Sequence, residues 1–214
     1  TSGALVPHGL GAVPEMIICK NLDSARDWSI YHHFADATYA AKGSPEDDYL
    51  VLNTTAAKTN DTGMWNDTAP TSVNISLGNG NTTNESGDQI VAYSFKGVQG
   101  FSRFGWYYGS NTITNDNGQF VYCGFRPSWI MLKSSSSTSD WYIFDDKRVG
   151  YNSDNNELLA DTNAAGSTTN RVDFTSNGFK FLATGDPNDA VNYVYAAFAQ
   201  SPLVNSEGIP NNAR

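Results

Sequence analysis

Pro14 to Tyr31 reads PEMIICKNLDSARDWSIY, and Pro127 to Phe144 reads PSWIMLKSSSSTSDWYIF. The two stretches realign at a constant shift of 113 positions, which sets Pro14 on Pro127, Ile17 on Ile130, Lys20 on Lys133, Asp27 on Asp140 and Trp28 on Trp141. Most mismatches keep apolar character, as in Cys19 against Leu132 and Tyr31 against Phe144. A period this long points to two copies of a whole domain, because solenoid units run only about 20 to 50 residues. Binding and scaffolding modules often occur in pairs; two copies of an active site in one short chain are rarer.

The repeat extends both ways. Gly3, Leu5, Val6 and Gly9 fall on Gly118, Phe120, Val121 and Gly124. Leu50, Thr54, Ala56 and Ala57 match Leu158, Thr162, Ala164 and Ala165. The copies close on Ile90–Phe95, IVAYSF, and Tyr193–Phe198, YVYAAF. The second copy opens on Phe101–Ser110, FSRFGWYYGS, and the first has no counterpart. With no initiator Met, the expectation is a C-terminal piece of a longer polypeptide. The expected domains are 1–99, a first copy lacking its opening strand, and 100–214, a second copy with a tail.

Apolar residues recur with period two. MIICK, DWSIYHHF, YLVLN, SVNISLG and IVAYSFK are short runs bounded by Gly, Asn, Asp or Pro, and the second copy repeats the rhythm. Such runs between turn signals make an all-β sandwich or barrel of antiparallel strands. The eight-residue link from Lys20 to Trp28, matched from Lys133 to Trp141, predicts a hairpin pairing Ile17–Lys20 with Trp28–Tyr31. Ser24–Asp27 or Ser44–Asp48 could form a single helical turn. Trp28 and Trp141 are expected in the core. Asn79–Gly87 reads as a polar loop, and Pro202–Arg214 as a surface tail.

Composition excludes several classes. The net charge of −9 on 214 residues argues against nucleic acid, which needs clustered Lys and Arg, and against an anionic membrane surface. No apolar run is long enough to span a bilayer. Cys19 and Cys123 sit at non-equivalent positions, so free, semi-buried thiols are expected over a framework disulfide, with a bridge between copies as the alternative. His32 and His33 follow a strand, where neighbours point to opposite faces; that suits solvated surface rather than a joint metal site. Glu46, Asp47 and Asp48, and Asp154 with Glu157, could hold a structural Ca²⁺, but no dedicated loop spacing supports it. No GxSxG or HExxH appears, and no carboxylate pair stands out for glycoside hydrolysis. An enzyme, a cofactor and a resident metal are therefore not expected. Six Asn-x-Ser/Thr sequons between Asn53 and Asn84 reflect the abundance of Asn and Thr.

Aromatics are the ligand-binding candidates. In FSRFGWYYGS, alternation sends Trp106 and Tyr108 to one face and Tyr107 to the other, so at least one ring could stay exposed. Trp65, in the Asn-rich stretch GMWNDT, is the fourth candidate. Exposed Trp and Tyr offer apolar platforms with a polar edge, suited to sugar rings.

The runs VPHGLGAVPEMIICKN, YLVLNTTAA and NESGDQIVAYSFKG resemble the repeated module of tailed-bacteriophage tail and fibre proteins. FVYCGFRPSWIMLK, WYIFDDKR, VDFTSNGFKF and the ending YVYAAFAQSPLVNSEGIPNNAR resemble its C-terminal copy. The resemblance covers nearly the whole chain. It implies tandem antiparallel β-sandwiches of jelly-roll, concanavalin-like or SPRY-like kind on an extracellular virion surface. It implies no catalytic residues. The expected partners are other tail or fibre subunits and a host cell-surface glycan, in a homo-oligomer taken as a trimer. The alternative is a purely structural fibre or decoration protein without receptor contact.

Overall fold

The computed structural model describes residues 2–114, 117–148, 155–205 and 209. The chain parts into two compact units, Thr1–Lys96 with Ser135–Thr138, and Gly97–Ser134 with Ser139–Arg214. The first holds strands β1 (Ala4–Pro7), β2 (Met16–Asn21), β3 (Ser29–His32), β4 (Asp48–Val51) and β5 (Thr59–Asn60), the helical turn α1 (Thr62–Trp65), β6 (Asn74–Leu77) and β7 (Ile90–Phe95). The second holds β8 (Ser102–Tyr108), β9 (Ile113–Thr114), β10 (Asn117–Gly118), β11 (Phe120–Tyr122), β12 (Pro127–Ser134), β13 (Tyr142–Asp145), β14 (Leu158–Leu159), β15 (Val172–Thr175), β16 (Gly178–Phe181) and β17 (Asn192–Ala199). The protein is all-β and antiparallel.

Each unit is built on a five-stranded sheet, in the order β5-β4-β3-β2-β7 in the first and β14-β13-β12-β17-β8 in the second. The registers coincide at the shifts at which the sequence realigns. Ile17 faces Tyr31 across the β2–β3 hairpin, and Ile130 faces Phe144 across β12–β13. Met16 opposes Phe95, and Trp129 opposes Phe198. Ile30 opposes Leu50, and Ile143 opposes Leu158. Across the second layers, Val6 pairs with Ile75 and Val121 with Phe179. A one-residue slip would turn every inward side chain outward; the three ladders of the large sheets keep the sequence realignment, and the β1–β6 and β11–β16 ladders correspond in structure although β6 and β16 were not realigned. The hairpin expected between Ile17–Lys20 and Trp28–Tyr31 forms in that register, with Ile17 opposite Tyr31, and its paired residues run Met16–Cys19 against Ser29–His32.

In the second unit the large sheet faces the three-stranded sheet β11-β16-β15. Ile130, Leu132, Tyr142, Phe144, Tyr193 and Tyr195 from one layer meet Val121, Val172, Phe174, Phe179 and Phe181 from the other. This is a β-sandwich with an aromatic core. Tyr107 stacks on Tyr193 with ring centroids 4.9 Å apart and planes 4° from parallel. In the first unit Ile17, Cys19 and Tyr31 pack on Ile75 and Leu77 of β6 and on Met64 and Trp65 of α1.

The helical turn corrects the sequence expectation. It forms at Thr62–Trp65 rather than at Ser24 or Ser44, because Asp61 Oδ1 caps it by accepting from the Gly63 amide at 2.8 Å and Asn66 ends it in a left-handed conformation at φ 55°. The loop Asn79–Gly87 is polar yet partly buried: Ser29 Oγ donates to Thr82 Oγ1 at 2.7 Å. Trp141 is buried, whereas Trp28 is half-buried with Lys20 Nζ 5.7 Å from its ring centre. In the tail, Leu203 and Ile209 are exposed, while 206–208 and 210–214 lie outside the described residues. Among the described residues no helix is long and apolar enough to cross a membrane.

Candidate functional site

The sequence candidates part company in three dimensions. Trp65 is 2% exposed; its ring meets Tyr31 edge-on at 5.8 Å, and Nε1 donates to the Asp48 carbonyl at 3.1 Å. With both faces packed and the N–H satisfied, it is a core tryptophan and offers a ligand no surface. Tyr107 is likewise core, with its hydroxyl donating to Pro187 O at 2.7 Å. Trp106 and Tyr108 lie on the opposite pleat of β8 and are half-buried. Alternation along β8 therefore holds, but its most exposed aromatics are not the most exposed in the unit.

Those lie on β11, where burial alternates exposed, buried, exposed along Phe120, Val121 and Tyr122. Val121 enters the core, while Phe120 is 44% and Tyr122 55% exposed. Their rings share one face, roughly 7 Å apart by the rise of two strand residues. Phe120 opposes Lys180 and Tyr122 opposes Gly178 on β16. A Cβ at Gly178 would lie 2.1 Å from Val121 O and 2.9 Å from the Phe120 ring, so only glycine lets Phe120 lie flat across the neighbouring strand. The Arg103 guanidinium sits over Tyr122, 5.6 Å from its ring centre, a cation–π arrangement. Reading the sequence missed this pair. Its signal was present in FVYCGF, two aromatics flanking one small apolar residue on a short strand.

A pocket of about 300 Å³ lies alongside, lined by residues that include Gly124, Phe125, Arg126, Ser176, Gln200 and Leu203. Arg126 is oriented by Nη1 donating to Phe174 O at 2.9 Å, and Gln200 by Nε2 donating to Asp146 Oδ2 at 2.6 Å. Asp173 opposes Lys180 on the same small sheet; burial raises its pKa against the pull of Lys180 and Arg126. Exposed aromatic faces beside guanidinium groups make a surface able to stack on a ring and to donate to hydroxyl or carboxylate oxygens.

Residues 1–202 match the family described as a domain of unknown function, DUF7483, in one span that covers most of both units. The chain belongs to the DUF7483 family. No curated protein and no solved structure matches it.

Two acidic residues singled out in the sequence of this DUF7483 chain, Asp48 and Glu157, are paired with cations. Asp48 is 4% exposed and is held by Lys58 Nζ, which also reaches Asp36 Oδ1 at 2.6 Å. Glu157 is buried against Arg171 Nε at 2.7 Å, while Asp154 lies outside the described residues. Among the described residues no three His, Cys, Asp or Glu side chains converge as a metal requires. His32, expected at the solvated surface, is 2% exposed, and its Nδ1 accepts from the Phe34 amide at 3.2 Å; His33 Nε2 lies 3.7 Å from Glu15 Oε2. β3 ends at His32, and His33 begins the following turn with its ring centre 5.4 Å from that of His32.

Two predictions arise here. Burial raises the Asp36 carboxyl, but hydrogen bonds from Lys58 and the Ser44 amide, with the Lys58 charge, outweigh it and hold the pKa below the usual carboxylate range. A lowered carboxylate pKa contributes stability that is present above the unfolded value and lost as pH falls through the folded one. Lys58→Met should therefore destabilise the first unit at pH 7 by about 1–3 kcal/mol, since it strands buried Asp48 while Lys58 itself is partly solvated. The gap to wild type should narrow below about pH 4, as Asp36 loses its charge. Urea midpoints at pH 7 and pH 3 check this, and an equal gap at both would refute it.

Cys19 and Cys123 are free and buried. Burial pushes the Cys19 thiol up to about 12 and does the same for Cys123, which Arg103 and Tyr195 pull back only in part. The thiolate is the reactive form, so the native protein at pH 8 should not react with Ellman's reagent within minutes. Both thiols should appear after denaturation. Rapid native labelling of either would contradict the packing.

Proposed function

We propose that this chain is a non-enzymatic adhesin fragment of a tailed-phage virion that binds a host-surface saccharide through Tyr122, Phe120 and Arg103. The setting rests on the motif resemblance to phage tail and fibre modules, as does the finer likeness to concanavalin-like or jelly-roll sandwiches. The chemistry rests on one observation: a Tyr122 ring 55% exposed under a guanidinium, beside a second exposed aromatic. In a chain of net charge −9, Arg103 and Arg126 make this corner suited to sugars that carry a carboxylate. A shallow platform binds weakly, and repetition in a trimeric fibre would raise avidity without new contacts. Trp106 and Tyr108 serve as a secondary surface on β8.

Screening the purified chain against immobilised neutral and carboxylate-bearing glycans tests the proposal, followed by competition with virions for host-cell adsorption. Binding to the acidic set that blocks adsorption supports it. A folded protein that binds no glycan and blocks nothing leaves the purely structural fibre role.

A further inference from the structure

β7 ends its sheet: among the described residues its one ladder partner is β2. Its counterpart β17 is flanked on both sides, by β12 and by β8. The equivalence is residue by residue, since Asn21 opposes Ile90 and Ser134 opposes Tyr193, while Met16 opposes Phe95 and Trp129 opposes Phe198. In an antiparallel ladder, residues bond alternately to one side and the other. Leu22 donates to Gln89 O, so the backbone groups of Ile90, Ala92 and Ser94 point away from β2. In the second unit the same positions are Tyr193, Tyr195 and Ala197, and they pair with Tyr107, Gly105 and Arg103 of β8.

The side chains tell the same story. Tyr195 is 3% exposed against Gly105, where an added Cβ would lie 2.5 Å from its ring. Ala92, in the equivalent place, is exposed. Ser94 Oγ is buried with no hydrogen-bond partner. Tyr107 fills the second core from β8, and the first core holds no ring from that direction.

We propose that the outer edge of β7 is a docking site for one antiparallel strand whose sequence follows the pattern of β8. In the second unit β8 leads through the β9–β10 hairpin to β11, the counterpart of β1, so a copy of β8 fused ahead of Gly3 can reach this edge. Open edges template added strands through main-chain hydrogen bonds, and alternate side chains set specificity. Small Ala92 leaves room opposite it that Tyr195 denies to Gly105, so this strand accepts a residue larger than glycine there.

The test is a fusion in which a copy of Phe101–Asn117 directly precedes Gly3, compared with the unfused chain by residue-resolved amide exchange. The Ala92 and Ser94 amides should slow by roughly tenfold or more, and Gly105→Pro in the added copy should abolish the effect by removing the N–H that meets Ala92. Gly105→Val in the added copy should keep it. A fusion that folds, judged by protected β2 and β3 amides, without slowing at Ala92 and Ser94 overturns the proposal. So does an unfused chain already protected there as a dimer, because a second copy then owns the edge. If the fusion does not fold, excess peptide Phe101–Ser110 with the unfused chain gives the same readout, and no protection again overturns it.

Discussion

Replacing Tyr122 with alanine should abolish measurable glycan binding while leaving the fold intact. A hot-spot aromatic is worth about 2 kcal/mol or more on truncation, roughly a thirtyfold loss, which takes a weak single site out of measurable range. Stability should hardly change, because a ring 55% exposed leaves little buried area to lose and Val121, not Tyr122, supplies the core contact of β11. Phe120→Ala should lose less, since its ring also lies against the backbone near Gly178. Arg103→Lys should fall between: the charge stays, but the planar group that covers Tyr122 does not. Titration calorimetry or surface plasmon resonance against the best acidic glycan decides it. Full binding by Tyr122→Ala would move the site elsewhere, with Trp106 and Tyr108 the next to test.

Phe179→Ala should produce the largest loss of stability. Phe179 is fully buried, and its ring lies 6.2 Å from Tyr107, 5.7 Å from Phe181 and 5.6 Å from Tyr195. Emptying such a site costs about 3–5 kcal/mol, because the surrounding rings collapse only partly into the cavity. A small domain holds about 5–15 kcal/mol in all, so the second unit would be left near its limit. Phe179→Leu should cost much less, since it leaves a smaller cavity. The counterpart Ile75→Ala should act on the first unit alone, by about 2–5 kcal/mol. Urea unfolding followed by unit-specific tryptophan signals, Trp65 against Trp141, separates the two. A Phe179→Ala loss below about 1 kcal/mol would show that the aromatic cluster repacks freely, contrary to the geometry.

The strands that were easiest to read are those whose pattern is enforced by a core. MIICK and WIMLK are apolar runs because β2 and β12 each have a strand on both sides in a five-stranded sheet, and their hairpins follow from link length alone. The turn at Thr62–Trp65 escaped notice because its evidence is a cap, Asp61, and not a period. Trp65 looked like a loop aromatic for the same reason: polar neighbours hide a ring that the turn drives inward. His32 failed similarly, since two adjacent polar residues give no sign that one pleat is covered. Tyr122 was overlooked because Phe120 and Tyr122 read as apolar, and nothing local says that β11 shows them to solvent.

Period-two patterning and link length were enough to read an all-β chain of short antiparallel strands, down to the β2–β3 and β12–β13 hairpins. These are local properties, set by alternation and by turn length. Which aromatics face water, which carboxylates are spent on Lys58 and Arg171, and where an edge is left open depend on what packs against each face. That is a property of distant segments meeting, and only the tertiary structure decided it.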